Sequence, residues 1–499
     1  MRDIVIAGGG TAGWMAAAAF ARFLGGGHNV TLVESDAIGT VGVGEATIPQ
    51  IQNFNNALGI DEAEFLKATQ GSYKLGIEFD GWSAPGKKYI HAFGQIGRQL
   101  GFVPFHHYVL RDQQRGGARD LWSYSPTAIA AAQNRFSPVQ ERPGQMPSGT
   151  AWAYHFDAGL YAAFLRRYAE DKGVKRIEGK IAEAQQQEGR ISALRLDDGR
   201  QVGGDFFIDC TGFAALLIGG AMESGFDDWS DLLPCNRAAA VQCEAAFVIT
   251  PYTRSSARAA GWQWRIPLQH RTGNGHVYCS DFMSDDEAAS ILLSHLDGAA
   301  IGDPRLIKFT TGMRRDSWKS NVVALGLAAG FMEPLESTSI HLVQSAIERI
   351  LQFFPGDTDA AADIEEYNRR TQAEWLAIRD FLILHYHRNG RSEAFWEAGR
   401  KTDIPKSLAR RLALFESSGR IMREGDELFT EVGWLQVMTG QGVTPQSWHP
   451  MAGQISDGQL TEFLGLAAQH ANAQADKMIP HNQWIEQYCK SDAGHRMVA

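Results

Sequence analysis

Ile4-Val5-Ile6-Ala7-Gly8-Gly9-Gly10-Thr11-Ala12-Gly13 is the stretch whose reading decides the fold. Four apolar residues in a row, three of them β-branched, read as a buried strand. The glycines that follow, Gly8, Gly10 and Gly13, have the GxGxxG spacing. In that pattern the first glycine makes a tight turn, the second lets a pyrophosphate approach, and the third lets helix and strand pack closely. An alanine-rich helix is expected over Ala12–Leu24, and a second strand over Asn29–Val33, ending at Glu34. Thr11 and Ala12 stand at the helix N-terminus, where free amides attract phosphate. Glu34 falls about twenty residues on, where a carboxylate can bind a ribose diol. A glycine-rich turn with no ligand would need none of this context. The segment predicts an α/β chain built on a Rossmann-type dinucleotide domain.

The surrounding sequence favours a flavin over a nicotinamide. A second glycine-rich loop, Gly39 to Pro49, follows the acid directly, and Gly42-Val43-Gly44-Glu45-Ala46-Thr47 forms its heart. Backbone approach over several residues suits a large flat ligand. Phe206-Phe207-Ile208-Asp209-Cys210-Thr211-Gly212 reads as a strand returning to the nucleotide sheet, and Asn321–Ala329 as a third return. Leu327 occupies the position after Gly326 where many flavoproteins place an aspartate. No second GxGxxG with matching context occurs, so reduced flavin must be delivered from elsewhere.

Composition bounds the rest. A chain of 499 residues, 44% hydrophobic and 21% charged, is globular and too long for one ordinary core. A net charge of −10 with no basic block argues against a nucleic-acid partner. Five scattered cysteines without CxxC spacing indicate neither a disulfide framework nor a zinc site, and fit a reducing cytoplasm. The chain runs straight into its first strand without a signal-like segment, and no apolar run approaches a membrane span.

Four further stretches carry candidate chemistry. Tyr73, Leu75, Ile77 and Phe79 alternate with Lys74, Gly76 and Glu78, which predicts one strand over 73–79. Lysines on strands are usually solvated, but one lining a pocket could hold an oxidised, weakly acidic species. His91 and Phe93 share a strand face at period two, either as core packing or as a stacking surface for an aromatic ring. Trp262 and Trp264 likewise share a face in Gly261–Leu268, either as a packed aromatic strand or as a wall between flavin and substrate. His106-His107 lacks a third spaced ligand and reads as structural, so no metal is expected. Finally, Phe331-Met332-Glu333-Pro334-Leu335-Glu336-Ser337-Thr338-Ser339-Ile340 leads into an amphipathic helix expected over 339–354. Its polar residues could simply cap that helix, or its free amides could hold an anion beside the Glu336 carboxylate.

Taken in order, these motifs resemble the flavin-dependent tryptophan halogenases over nearly the whole chain. The resemblance implies a glutathione-reductase-like FAD domain with mixed sheets and a helical C-terminal subdomain, here residues 1–360 and 361–499. It implies FAD contacts at Gly8–Gly13 and Gly42–Pro49, and matches Lys74 and Glu336 to the family's catalytic lysine and glutamate. Trp262, Trp264, Ile266 and Pro267 match the WxWxIP signature that separates halogenases from related monooxygenases. Thr338 and Ser339 match the halide site, where the family more often has glycine at the second position. His91 and Phe93 match rings that hold the indole. The implied reaction uses reduced FAD and dioxygen to oxidise chloride or bromide to hypohalous acid. The acid travels through an internal tunnel to Lys74, and an arene attacks the halogen with Glu336 assisting. A separate NAD(P)H-dependent flavin reductase would be the partner, and a homodimer is open to the chain. The alternative is an FAD-dependent aromatic hydroxylase, which would have no use for Lys74 or the tryptophan pair.

The C-terminal third reads as helices: Asp363–Thr371, Glu374–Tyr386, Ser407–Ser418, Trp434–Thr439 and Gln459–Asp476. Alignment on the run Gly433–Gly440 puts Phe429 where the family carries a tryptophan lid, Ser417 and Ser418 near paired tyrosines, and Gly433 near an asparagine. Glu424 remains as a partner for a substrate amine. With those groups changed, free indole is expected to serve at least as well as tryptophan.

Overall fold

Five parallel strands carry the nucleotide half of the computed structural model, which describes residues 2–38, 44–139, 150–356 and 360–491. In spatial order they are Val322–Ala324, Phe206–Asp209, Arg2–Ala7, His28–Glu34 and Lys175–Glu178, with Trp318–Lys319 antiparallel on one edge. The register aligns Ala7 with Asp209 on one side and Val33 on the other. The carboxyl ends of these strands therefore gather at one edge, where open parallel sheets take their ligands. The helix Thr11–Phe23 covers one face, burying Trp14 through Phe20. Its alanines permit close packing against the helices Ala158–Asp171 and Ser339–Gln352.

A seven-stranded mixed sheet forms the second layer. Its order is Ala300–Lys308, Arg237–Glu244, Arg271–Tyr278, Gly261–Pro267, Thr253–Arg258, Gly76–Asp80, Lys88–Ala92. A third, small sheet pairs Gly44–Ala46 and Ser72–Lys74 on either side of Ala153–Asp157.

Two sequence expectations are corrected here. The stretch 73–79 is not one strand. Ser72–Lys74 belongs to the small sheet and Gly76–Asp80 to the large one, and between them the Leu75 amide donates to Pro251. The chain thus changes sheets at Leu75, and Lys74 is carried into the interior instead of onto a solvated face. The sequence reads as a helix over His155–Lys172, whereas the helix begins at Ala158. Tyr154, His155 and Phe156 prefer the strand, and Asp157 caps the helix by accepting from the Leu160 amide.

Beyond residue 360 the described chain is almost wholly helical: Ala361–His387, Ala394–Lys401, Lys406–Ser418, Glu431–Gly440, Asp457–Asp476 and His481–Tyr488. The two helical runs read at 363–371 and 374–386 are one helix of 27 residues. Its buried Phe381 and Tyr386 join Trp396 and Trp434 in one apolar cluster with Phe79, Trp82 and Trp262 of the sheet layer. Gln436 fastens the layers by a paired hydrogen bond: its Oε1 accepts from Ala92 N at 3.0 Å and its Nε2 donates to Ala92 O at 2.9 Å. No helix among the described residues is long and apolar enough to cross a membrane.

Candidate active site

The glycines of the first turn behave as their spacing requires. Gly8 has φ +105°, and a Cβ there would lie 2.3 Å from the Cys210 carbonyl oxygen. At Gly13 a Cβ would lie 2.0 Å from the Gly8 carbonyl oxygen. Gly10 faces open space, with nothing within 4 Å of an added Cβ. The helix Thr11–Phe23 has no side-chain cap and no acid in its first turn, so its amides are available to an anion. Thr11 donates to the Ala158 carbonyl at 3.4 Å. Glu34 closes the second strand and is paired with Arg176 at 2.5 Å and Arg166 at 3.7 Å. This cradle fits a dinucleotide. Gly42 and Val43 lie outside the described residues. Gly44, Glu45 and Ala46 form the short strand against Ala153–Asp157, and Thr47 follows it. Leu327 lines a cavity of about 500 Å³ with Phe213, Phe226, Arg314, Gly330 and Phe331.

The strand switch at Leu75 places Lys74 beside the Glu336 turn. Lys74 is fully buried, and its Nζ donates to the Thr47 carbonyl and the Ser337 hydroxyl, each at 2.8 Å. The same nitrogen lies 5.4 Å from the centre of the Phe93 ring. Burial lowers its pKa to about 7, against the attraction of Glu336 that raises it.

Glu336 is buried in a 3₁₀ turn, Pro334–Glu336, ended by Ser337 in the left-handed region at φ 59°. Its carboxylate lies between two histidines. His91 Nδ1 is 2.9 Å from Oε2, and His385 Nε2 is 2.9 Å from Oε1, out of line for a hydrogen bond. Burial alone would raise this carboxyl, but the two imidazoles outweigh it and hold the pKa near 2. His385 Nδ1 faces the Phe381 carbonyl at 2.9 Å and must carry its proton there, since a carbonyl only accepts. Its Nε2 is thereby the ring nitrogen that faces Glu336 Oε1.

The capping role open to this stretch is not taken. Thr338 is the N-cap of Ser339–Gln352 and makes no side-chain cap bond. Glu336 is turned to the histidines and Ser337 to Lys74. Thr338 is buried and Ser339 half-buried.

Phe429 is buried, stacked on Phe381 with centroids 3.7 Å apart at 13°, and 6.1 Å from the His91 ring. Gly433 sits so close that a Cβ there would be 3.1 Å from His91 Nε2. Ser417 and Ser418 bond back to the Leu414 carbonyl. Glu424 is exposed and ion-paired with Arg410 on the surface. His106 faces the Gly419 carbonyl and His107 accepts from the His449 amide, which gives this pair structural partners.

Sequence reasoning did not single out His385, Phe381 or Tyr386. The available signal was a histidine and a tyrosine closing the apolar run Phe381-Leu382-Ile383-Leu384. Polar rings at the end of a buried helix face need partners, and here the partners are carboxylates from another segment.

A Rossmann-type cradle, an adjoining cavity and a buried lysine near a buried glutamate define a dinucleotide-binding protein with a buried cluster of titratable groups. Comparison with known proteins agrees. The family model described as "Tryptophan halogenase" matches residues 3–457. A tryptophan 6-halogenase, SttH of Streptomyces toxytricini, is 36% identical over 82% of this chain and 83% of its own length. Among solved structures, Xcc4156, a flavin-dependent halogenase from Xanthomonas campestris, is 48% identical with a TM-score of 0.95, covering 99% of both chains. BrvH, a flavin-dependent halogenase from Brevundimonas sp. BAL3, is 41% identical with a TM-score of 0.94, covering 97% of this chain and 99% of that one. The chain belongs to the tryptophan halogenase family, whose members are flavin-dependent enzymes.

Proposed function

We propose that this protein halogenates an indole-type arene, with reduced FAD as cofactor and chloride or bromide as co-substrate. The observation that carries this reading is the convergence of Lys74, Ser337, Glu336 and His91 in one buried site. When bound, reduced FAD with dioxygen supplies the two-electron oxidation of halide to hypohalous acid. The cofactor would be held by Gly8, Gly10, Thr11, Ala12, Gly13 and Glu34, by the 42–47 loop, and along the cavity at Leu327. The amides of Thr338 and Ser339, with no side-chain cap, would hold the halide. Lys74 then orients the acid by hydrogen bond. Its pKa near 7 makes both ammonium and amine available at neutral pH. The arene C–H becomes C–X, the hypohalous oxygen takes a proton from the Lys74 ammonium and leaves as water, and Glu336 takes the proton lost from the ring. His91 fixes the Glu336 carboxylate, and Phe93 and Phe429 supply flat apolar surfaces for the arene. Burial of the whole constellation excludes water, which protects the oxidant.

A separate NAD(P)H-dependent reductase would deliver reduced FAD, because the sequence has a single dinucleotide fingerprint. Phe429 against Phe381, Gly433 against His91, and Glu424 held by Arg410 support an indole-shaped pocket without a grip on an amino-acid group. Free indole is then taken at least as well as tryptophan. The test is incubation with reduced FAD, bromide or chloride, and competing indole and tryptophan, read by mass. Hydroxylated in place of halogenated product refutes the reaction. A strong preference for tryptophan refutes the substrate assignment.

A further inference from the structure

Three residues ahead of Glu336 stands a second buried carboxyl, Glu333, to which the proposed reaction gives no role. It is fully buried. Its Oε2 accepts from the Trp262 indole Nε1 at 2.6 Å and from the Tyr386 hydroxyl at 2.5 Å. Its Oε1 is buried without a hydrogen-bond partner among the described residues. Tyr386 also touches Cys235, with Sγ 3.8 Å from the hydroxyl.

The connections around Glu333 close a ring. The helix Ala361–His387 sends His385 to Glu336 and the next residue, Tyr386, to Glu333. Consecutive helical residues point roughly 100° apart, so one helix grips both ends of the Glu333–Glu336 segment from different sides. Trp262 completes the circuit. Its ring centre is 6.3 Å from that of Trp82, which lies 5.8 Å from His385 and 5.5 Å from Tyr386. One carboxylate oxygen thus fixes the direction of a tryptophan in the WxWxIP strand and of a tyrosine beside the histidine that faces Glu336.

We propose that Glu333 is a positioning residue. By accepting from Trp262 and Tyr386 together, it holds the tryptophan wall and the turn bearing Glu336 and Ser337 in one fixed relation, so that oxidant reaches Lys74 and the arene before it escapes. The inference rests on the halogenase reading above. Glutamine keeps an oxygen able to accept both bonds, whereas alanine keeps none.

Glu333→Ala, Glu333→Gln and Tyr386→Phe in the full-length protein test this. The first readout uses flavin-free protein: the ¹⁵N-indole resonance of Trp262, assigned through Trp262→Phe. It shifts in Glu333→Ala as the hydrogen bond is lost. The second is the ratio of halogenated indole to reduced FAD consumed, with escaping hypohalous acid caught by a β-diketone trap. Displacements near 1 Å can cost orders of magnitude in rate. Glu333→Ala is accordingly expected to lower the ratio about tenfold, with trapped oxidant rising to match and indole KM changed less than about twofold. Glu333→Gln returns the ratio to within about twofold of wild type, and Tyr386→Phe falls between. A wild-type ratio in Glu333→Ala overturns the proposal. So does lost product without a matching rise in trapped oxidant, or a glutamine variant as impaired as alanine. If the alanine variant does not fold, a wild-type ratio in Tyr386→Phe overturns it. Wild-type protein that halogenates no arene would instead refute the reaction itself.

Discussion

Replacing Lys74 with methionine should make the protein more stable at neutral and acidic pH while removing its activity. Burial lowers the Lys74 pKa from 10.5 to about 7, with Glu336 opposing the shift. Below about pH 7 the lysine is protonated in both folded and unfolded chains, and burying the ammonium is unfavourable by about 5 kcal/mol, from roughly 3.5 units at ~1.36 kcal/mol each. Between pH 7 and 10.5 only the unfolded chain keeps that proton, so wild-type stability rises with pH across this window. Methionine removes both the penalty and the slope. It also leaves the Thr47 carbonyl and Ser337 hydroxyl without their Nζ partner, which costs about 2 to 3 kcal/mol together. The net gain is about 2 kcal/mol below neutrality. It falls by ~1.4 kcal/mol per pH unit above that and reverses at about pH 8 to 9. Paired guanidinium unfolding of both proteins at intervals from about pH 6 to about pH 10 measures this difference, and subtracting one curve from the other removes the titrations they share. A Lys74→Met variant that is less stable below neutrality, or a difference flat with pH, would refute the reasoning.

Three further outcomes are expected. Gly10→Ala should fold normally and lose FAD affinity, since its Cβ meets only the open cradle. Gly8→Ala should lose the fold, since φ +105° and the Cys210 carbonyl forbid a side chain; circular dichroism and flavin-fluorescence titration separate the two. His385→Phe removes one of the two groups that hold the Glu336 carboxyl down, so burial pushes its pKa up. The acid limb of the kcat profile should then move to higher pH by about one unit or more, and an unmoved limb would deny the contact. Gly433→Ala puts a Cβ 3.1 Å from His91 Nε2 and should raise the indole KM by about threefold, with the flavin oxidation rate unchanged in stopped-flow absorbance.

What could be read in the sequence was what depends on local pattern. The cradle is one continuous stretch, and every element of it, Gly8, Gly10, Gly13 and Glu34, is fixed by strand, turn and helix over about thirty residues. The returning strands at 206–209 and 322–324 announced themselves as short apolar runs bounded by turn residues. The surroundings of the site resisted because they are made by distant segments. Alternation at 73–79 gave no hint that the chain leaves one sheet and enters another, and that switch is what buries Lys74. His385 is 49 residues from Glu336 in the chain, as the numbering shows, and becomes its neighbour only when the helix Ala361–His387 packs against the sheet. Helix starts failed where residue preferences conflict, as at 153–157, where aromatic residues favour the strand and Asp157 the cap.

The chemistry assigned to this site depends on treating two carboxyls, three residues apart, in opposite ways. Both are fully enclosed, and burial raises both. Glu333 faces neutral donors, an indole and a phenol, and its pKa goes up to about 7. Glu336 faces two imidazoles and is held near 2. One turn of chain thus presents an ionised carboxylate towards His91 and a carboxyl that is about half protonated at neutrality towards the tryptophan wall. Divergent environments for neighbouring acids are how a single fold separates proton acceptor from scaffold. Lys74 is tuned to the same region of pH as Glu333 by the same burial, against the attraction of Glu336. In the proposed reaction the ring proton goes to Glu336, whose Oε1 lies 2.9 Å from His385 Nε2. Lys74 and Glu336 thus take separate parts in the proposed reaction, one at the halogen and one at the ring proton, and both are buried.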